Sequence, residues 1–142
     1  MLPLPPLPPA PRYEIRPPTP GEIEPARQFL SALGWAHRLG DPARFAALLA
    51  QSQRVEVAIT PDGEIVGFAR AITDGLSNGY LSMVAVAPVH RHQGLGRRLV
   101  QAVMGDEPGI TWVLRAGRDE AAGFFARLGF ESSSQAMERR RR

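Results

Sequence analysis

The chain has 142 residues, enough for one domain that buries a core without covalent staples and too few for two full-sized ones. It has no cysteine, which excludes disulfides, thiolate metal ligands and a thiolate nucleophile. It has no lysine either, which excludes Schiff-base chemistry and a Walker-type phosphate loop. The net charge of +3 belongs to the end of the chain: without Arg139, Arg140, Arg141 and Arg142, thirteen arginines face fourteen acidic residues, a balance of −1.

Residues 1–11 hold six prolines, which fix φ and remove donors, so they read as an extended polyproline leader. They lack the basic start of a signal peptide, and no stretch of the chain is apolar for long enough to span a bilayer. The expectation is a cytoplasmic protein with no membrane partner. The folded domain is expected over residues 12–137, with a basic tail at 138–142. The near-neutral body argues against nucleic acid as a partner.

The alternation in residues 13–16 suits a short strand, and Pro17, Pro18 and Pro20 end it. Residues 22–33 place Ile23, Ala26, Phe29, Leu30 and Leu33 on one helical face, with Gly34 as the stop. Asp41 followed by Pro42 reads as a cap opening a helix over residues 43–51. Three strands follow, at 54–60, 65–73 and 80–87, joined by the turns Pro61-Asp62-Gly63-Glu64 and 74–79, which makes an antiparallel meander. Residues 96–104 are helical in period, residues 110–114 form a short apolar strand, and Asp119 is expected to cap a helix running to Leu128, with Gly129 as its end signal. Residues 130–137 read as a last strand. The fold class is therefore α+β: a mixed, mostly antiparallel sheet with helices on both faces, in which residues 80–114 make a right-handed crossover.

The chemistry lies between strand 80–87 and the helix after it. A buried strand ends at Pro88, a basic turn with two glycines follows, and a helix begins. Helix N-termini expose unpaired N–H groups and a partial positive charge, and glycines let the backbone approach an anion closely. With Arg91, Arg97 and Arg98 around the same point, this is an anion site suited to a pyrophosphate. A dinucleotide loop would need glycine where Leu99 stands, and would follow its strand at once. His90 and His92 have no carboxylate near them in sequence, so no metal is expected there.

Val84-Ala85-Val86, then Pro88, then Arg91-His92-Gln93-Gly94-Leu95-Gly96 resembles the acetyl-CoA motif Arg/Gln-x-x-Gly-x-Gly/Ala of the GNAT N-acetyltransferases. Phe124-Phe125-Ala126-Arg127-Leu128-Gly129-Phe130 is similar to that family's Phe-Tyr-x-x-x-Gly-Phe helix end. The resemblance covers residues 12–137. It implies an N-acetyltransferase that moves the acetyl group of acetyl-CoA to a primary amine, of a small molecule or a protein, by direct attack in a ternary complex. It also implies that the amides of residues 92–97, with Arg91 and Arg97, hold the pyrophosphate. Val84 and Val86, flanking Ala85, would bind the pantetheine arm through their main chains, with Phe124 and Phe125 packed beside it. The strand at 111–115 would splay from its neighbour to open a slot. The N–H of Val84 would stabilise the developing oxyanion.

Two positions depart from the family pattern. Met83 stands where many relatives carry Asp or Glu, and Phe125 where many carry the Tyr that protonates the leaving thiolate. A non-catalytic acyl-CoA-binding domain is therefore the alternative. Tyr80, Ser82 and Asp74 are the candidate substitute groups, with even spacing aiming Tyr80 and Ser82 away from Met83. Trp35 and His37 fall where the family builds its acceptor site. A homodimer is consistent with the family.

Overall fold

A computed structural model describes residues 2–6 and 12–142. Residues 2–6 have no regular structure and are exposed, and the rest of the proline leader lies outside the described residues. The elements are β1 (Glu14–Arg16), α1 (Ile23–Leu30), α2 (Ala36–Leu39), α3 (Pro42–Ala50), β2 (Arg54–Ile59), β3 (Ile65–Thr73), β4 (Asn78–Val86), α4 (Leu95–Met104), β5 (Thr111–Leu114) and α5 (Ala121–Ala126). The sheet order is β1-β2-β3-β4-β5, antiparallel except for the parallel pair β4 and β5.

Both faces of the sheet are covered, as the alternating strands require. On one face Ala26 and Leu30 of α1 and Phe45 of α3 pack with Val57, Phe68 and Met83. Phe45 and Phe68 are fully buried with ring centroids 6.3 Å apart, each contributing roughly 1.5–3 kcal/mol of apolar burial. On the other, Leu95, Leu99, Val100 and Val103 of α4 pack on Ala58, Val66, Ala69, Ala71 and Leu81. The small side chains in β2 and β3 let α4 settle close to the sheet.

The helix expected to stop at Gly34 does break there, but the chain continues. Residues 31–35, which end in Trp35, widen into a π-helical turn, Gly34 takes φ +93°, and α2 follows, carrying His37 and Arg38. Asp41 caps α3 as read, its carboxylate accepting from the Arg44 N–H at 2.8 Å, although the helix starts at Pro42 itself.

Three expectations are corrected. Asp119 is not the cap of α5. Glu120 holds that position at φ +66° with no side-chain cap bond, and the helix is only six residues long. Residues 130–137 form no strand: Glu131 to Gln135 is polar without an apolar face, the Ser133 hydroxyl accepts from the amides of Gln135 and Ala136, and Phe130 turns back onto Phe125. Ser82 and Met83 do not face opposite sides. Between Ser82 and Ala85 β4 has one residue more than β3 opposite it, with Arg70 paired to Ser82 and Phe68 to Ala85. The extra residue is accommodated by Met83 at φ +56°, a left-handed conformation that is uncommon without glycine. The bulge switches the alternation, so Leu81 packs against α4 while Met83 and Ala85 pack against α1 and α3.

Candidate active site

The register of β4 with β5 ends at Leu81 opposite Leu114, so residues 82–86 of β4 have no strand beside them on that side. The Ala87 N–H donates to the Val66 carbonyl at 2.8 Å, which turns residue 87 toward β3. Backbone groups alternate sides along a strand, so the N–H and C=O of Val86 and Val84 point into the gap. The Val86 carbonyl accepts from Arg91 Nε there at 3.0 Å.

A cavity of about 600 Å³ occupies this gap and runs to the start of α4. Val84, Val86, Arg91, His92, Gly94, Gly96, Arg97, Phe124, Phe125 and Arg127 are among its lining residues. The approach to α4 needs unusual backbone: His92 is at φ +65° and Gly94 at φ +77°. A Cβ on Gly94 would meet nothing within 4 Å, so that position is open toward the cavity. Gly96 is small for a different reason, since a Cβ there would lie 3.0 Å from Phe124 Cζ. The bend is tied to the far side of the molecule by Tyr13, whose hydroxyl lies 2.6 Å from His90 Nδ1 and donates to Gln93 Oε1 at 3.0 Å. The Gln93 side chain is thus engaged away from the cavity. First-turn amides of α4, an open glycine and the lining Arg91, Arg97 and Arg127 suit the diphosphate of a coenzyme, and the apolar wall of Phe124 and Phe125 suits its arm. Arg98, expected at the same point, instead donates to the Tyr13 carbonyl at 3.3 Å and lines neither cavity.

A second cavity, of about 320 Å³, opens on the other side of the same gap. Trp35, His37, Arg38, Tyr80, Ser82, Met83, Arg115 and Arg118 contribute to its lining. The two cavities share Val84, Arg118, Ala121 and Phe125. They therefore adjoin along these four residues, with Val84 the β4 residue common to both. Trp35 Nε1 is buried and has no hydrogen-bond partner among the described residues.

Sequence reasoning did not find Arg118. Its guanidinium donates to the Leu33 and Gly34 carbonyls at 3.1 and 3.2 Å and lies 3.9 Å over the Trp35 ring, so it fastens the α1 kink to the loop before α5. No local pattern signals a contact across more than eighty residues. Arg70 was also missed. It is buried, donates from Nε to Ser52 Oγ at 2.7 Å, and its pKa is lowered by burial, partly offset by nearby Tyr80.

Of the candidate substitute groups, Tyr80, Ser82, Trp35 and His37 line the smaller cavity, while Asp74 lines neither. The Asp74 carboxylate accepts from the amides of Leu76, Ser77 and Asn78 and from the Ser77 hydroxyl. These bonds hold its pKa well below the usual carboxylate range, the Ser77 hydroxyl contributing most. A carboxylate stabilised in this way is a turn staple and a poor proton acceptor.

An acetyltransferase (GNAT) domain matches residues 51–132, more than half of the chain. The peptidyl-lysine N-acetyltransferase YjaB of Salmonella typhimurium (strain LT2) is 29% identical over 80 residues, which span 56% of this chain and 52% of that protein. The chain thus aligns with about half the length of that curated relative. A crystal structure from Xanthomonas campestris pv. campestris, assigned to the GNAT family, superposes with a TM-score of 0.71 at 27% identity, covering 92% of this chain and 94% of that one. The aminoglycoside N-acetyltransferase AAC(6')-Iy, crystallised with CoA, shares the fold at a TM-score of 0.72 and 21% identity over 96% of this chain and 99% of its own. With the domain match, the bulged β4 and the slot beside it, the chain belongs to the GNAT acetyltransferase family.

Proposed function

We propose that residues 12–137 act as one acetyl-CoA-dependent N-acetyltransferase domain, with 1–11 and 138–142 as flanking segments. The observation that carries this reading is that the two cavities share Val84, just past the point where β5 leaves β4. The larger cavity suits acetyl-CoA as cosubstrate: the α4 amides with Arg91 and Arg97 at its diphosphate, Val84 and Val86 main-chain groups along the pantetheine arm. Arg91 would leave the Val86 carbonyl for the phosphates. The smaller cavity suits the acceptor amine.

Transfer forms a C–N bond and breaks the C–S bond. The Val84 N–H donates to the acetyl oxygen as negative charge develops there, which by analogy with other oxyanion donors supplies roughly 3–4 kcal/mol. No carboxylate lines the acceptor cavity, so the amine gives its proton to water. Arg118, at the junction, disfavours an ammonium and favours the neutral, nucleophilic amine. Sulfur departs as a thiolate and takes a proton from water, which a thiol with a pKa of about 8.5 permits near neutral pH. Tyr80 and Ser82 supply the hydroxyls that line this cavity and hold the water on the acceptor side in this reading.

The relatives' names attach their activities to lysine side chains and aminoglycosides, and both are primary amines as this reading requires. Calorimetric titration should give an acetyl-CoA Kd well below millimolar, and thiol release should depend on an added amine. Absence of binding overturns the reading. Binding without turnover over a broad amine panel would favour the non-catalytic alternative, for which Met83 and Phe125 speak.

A further inference from the structure

We infer that the acceptor is a small amine carrying an anionic group, a carboxylate or phosphate, which Arg38 and Arg115 hold while the amine faces the Val84 amide. This rests on the smaller cavity being the acceptor site. The charged side chains lining that cavity are Arg38, Arg115 and Arg118, with His37 beside them, and neither Asp nor Glu is among them. Arg38 is exposed on α2 and has no hydrogen bond or ion pair among the described residues, which include all fourteen carboxylate side chains.

Arg115 is held by Glu138 at 2.6 Å, from the start of the tail, so its charge is available in proportion as that bond opens. Arg118 is spent on two carbonyls and the Trp35 ring but keeps its charge. A polyamine or a lysine side chain would bring positive charge to three arginines of which only Arg115 has a carboxylate partner, Glu138. A carboxylate or phosphate matches the planar guanidinium fork of Arg38 and cancels the like charge. The volume of about 320 Å³ is at the small end for ligand cavities, which favours a compact molecule.

The buried, unpartnered Nε1–H of Trp35 is a built-in reporter on this cavity. In the ¹⁵N-labelled 142-residue chain, with the signal assigned through Trp35→Phe, two pairs of probes are titrated without acetyl-CoA: β-alanine against β-alaninamide, and phosphoethanolamine against ethanolamine. The acidic member of at least one pair should shift the indole signal and its partner should not; the pair that responds names the anion as carboxylate or phosphate. With acetyl-CoA, the acidic member should have a kcat/KM at least tenfold higher. Arg38→Gln should erase the preference, and Glu138→Gln, by releasing Arg115, should increase it at least twofold.

Equal response to both members of each pair, faster turnover of putrescine, or a preference that survives Arg38→Gln overturns the inference. If acetyl-CoA binds and only amines without an anion are acetylated, the anion site is wrong and the acetyltransferase reading stands. If acidic amines shift Trp35 selectively but acetyl-CoA does not bind, the anion site stands and the transferase reading falls.

Discussion

Gly94 and Gly96 sit two residues apart and are small for unlike reasons. Gly94 has a left-handed backbone and an open side toward the cavity, so Gly94→Val costs roughly 1–2 kcal/mol in conformation and fills space proposed for the diphosphate. The expected outcome is a chain that still melts cooperatively, a few degrees lower, with acetyl-CoA affinity reduced at least a hundredfold by calorimetry. Gly96→Ala instead presses on the Phe124 ring, which stacks edge to face on Phe125 at 4.9 Å, so it should loosen the arm-binding wall and weaken binding more modestly. Phe125 borders both cavities, and Phe125→Tyr places a proton donor at the junction. Turnover should rise several-fold at pH 7, and the gain should shrink above the thiol pKa of about 8.5. Asp74→Ala should lower the melting temperature while kcat/KM stays within threefold, because its carboxylate is engaged by its own turn. Both Asp74 and Tyr80 looked like candidates in the linear sequence. Only the folded chain separates a staple at one end of β4 from a hydroxyl in the cavity wall.

At the scale of elements, the entry to α1 is secured by a charge-assisted knot. Arg16 at the end of β1 donates to Glu22 from both terminal nitrogens, at 2.7 and 2.9 Å, and Glu22 also accepts from the Thr19 N–H at 2.8 Å. The Arg16 bond, then the Thr19 amide, pushes the Glu22 pKa down to about 2 from 4.5. A folded-state pKa below the unfolded one means that this contribution is complete above about 4.5 and is lost as pH falls through about 2. Glu22→Gln should therefore flatten the acid limb of the stability curve in that window while leaving the neutral-pH fold intact, as urea midpoints at pH 7, 4 and 2.5 would show. The bulge in β4 belongs to this scale as well. Regular alternation predicted opposite faces for Ser82 and Met83, and the prediction failed because a single extra residue resets the period of two. The polar segment after Phe130 was misjudged for the converse reason: although β5 presents a free edge, a segment without an apolar face buries nothing by pairing with it.

For the whole molecule, the arrangement is a sheet covered on both faces and split at one edge. Beside the split lie two adjoining cavities, lined by β4 residues and by arginines from α2, the bend before α4, the segment after β5 and the end of α5. Acetyl-CoA at a hundred times its Kd should stabilise the native state by about 2.7 kcal/mol, raising the melting temperature by several degrees in scanning fluorimetry. The family was legible from motif resemblance, and sequence patterning alone determined the α+β class, the order of nearly all elements and the glycine-bearing bend before α4. Those depend on short-range rules: glycine and proline dihedrals, helix starts, periods of 2 and 3.6. Tertiary structure decided the lining of the smaller cavity, the side proposed for the acceptor. Arg38, Arg115, Arg118, Trp35 and Tyr80 come from α2, the end of β5, the loop beyond it, the α1 kink and β4, and no spacing rule relates them. Their shared wall exists only because Gly34 kinks α1, Met83 bulges β4, and β5 ends its pairing at Leu81.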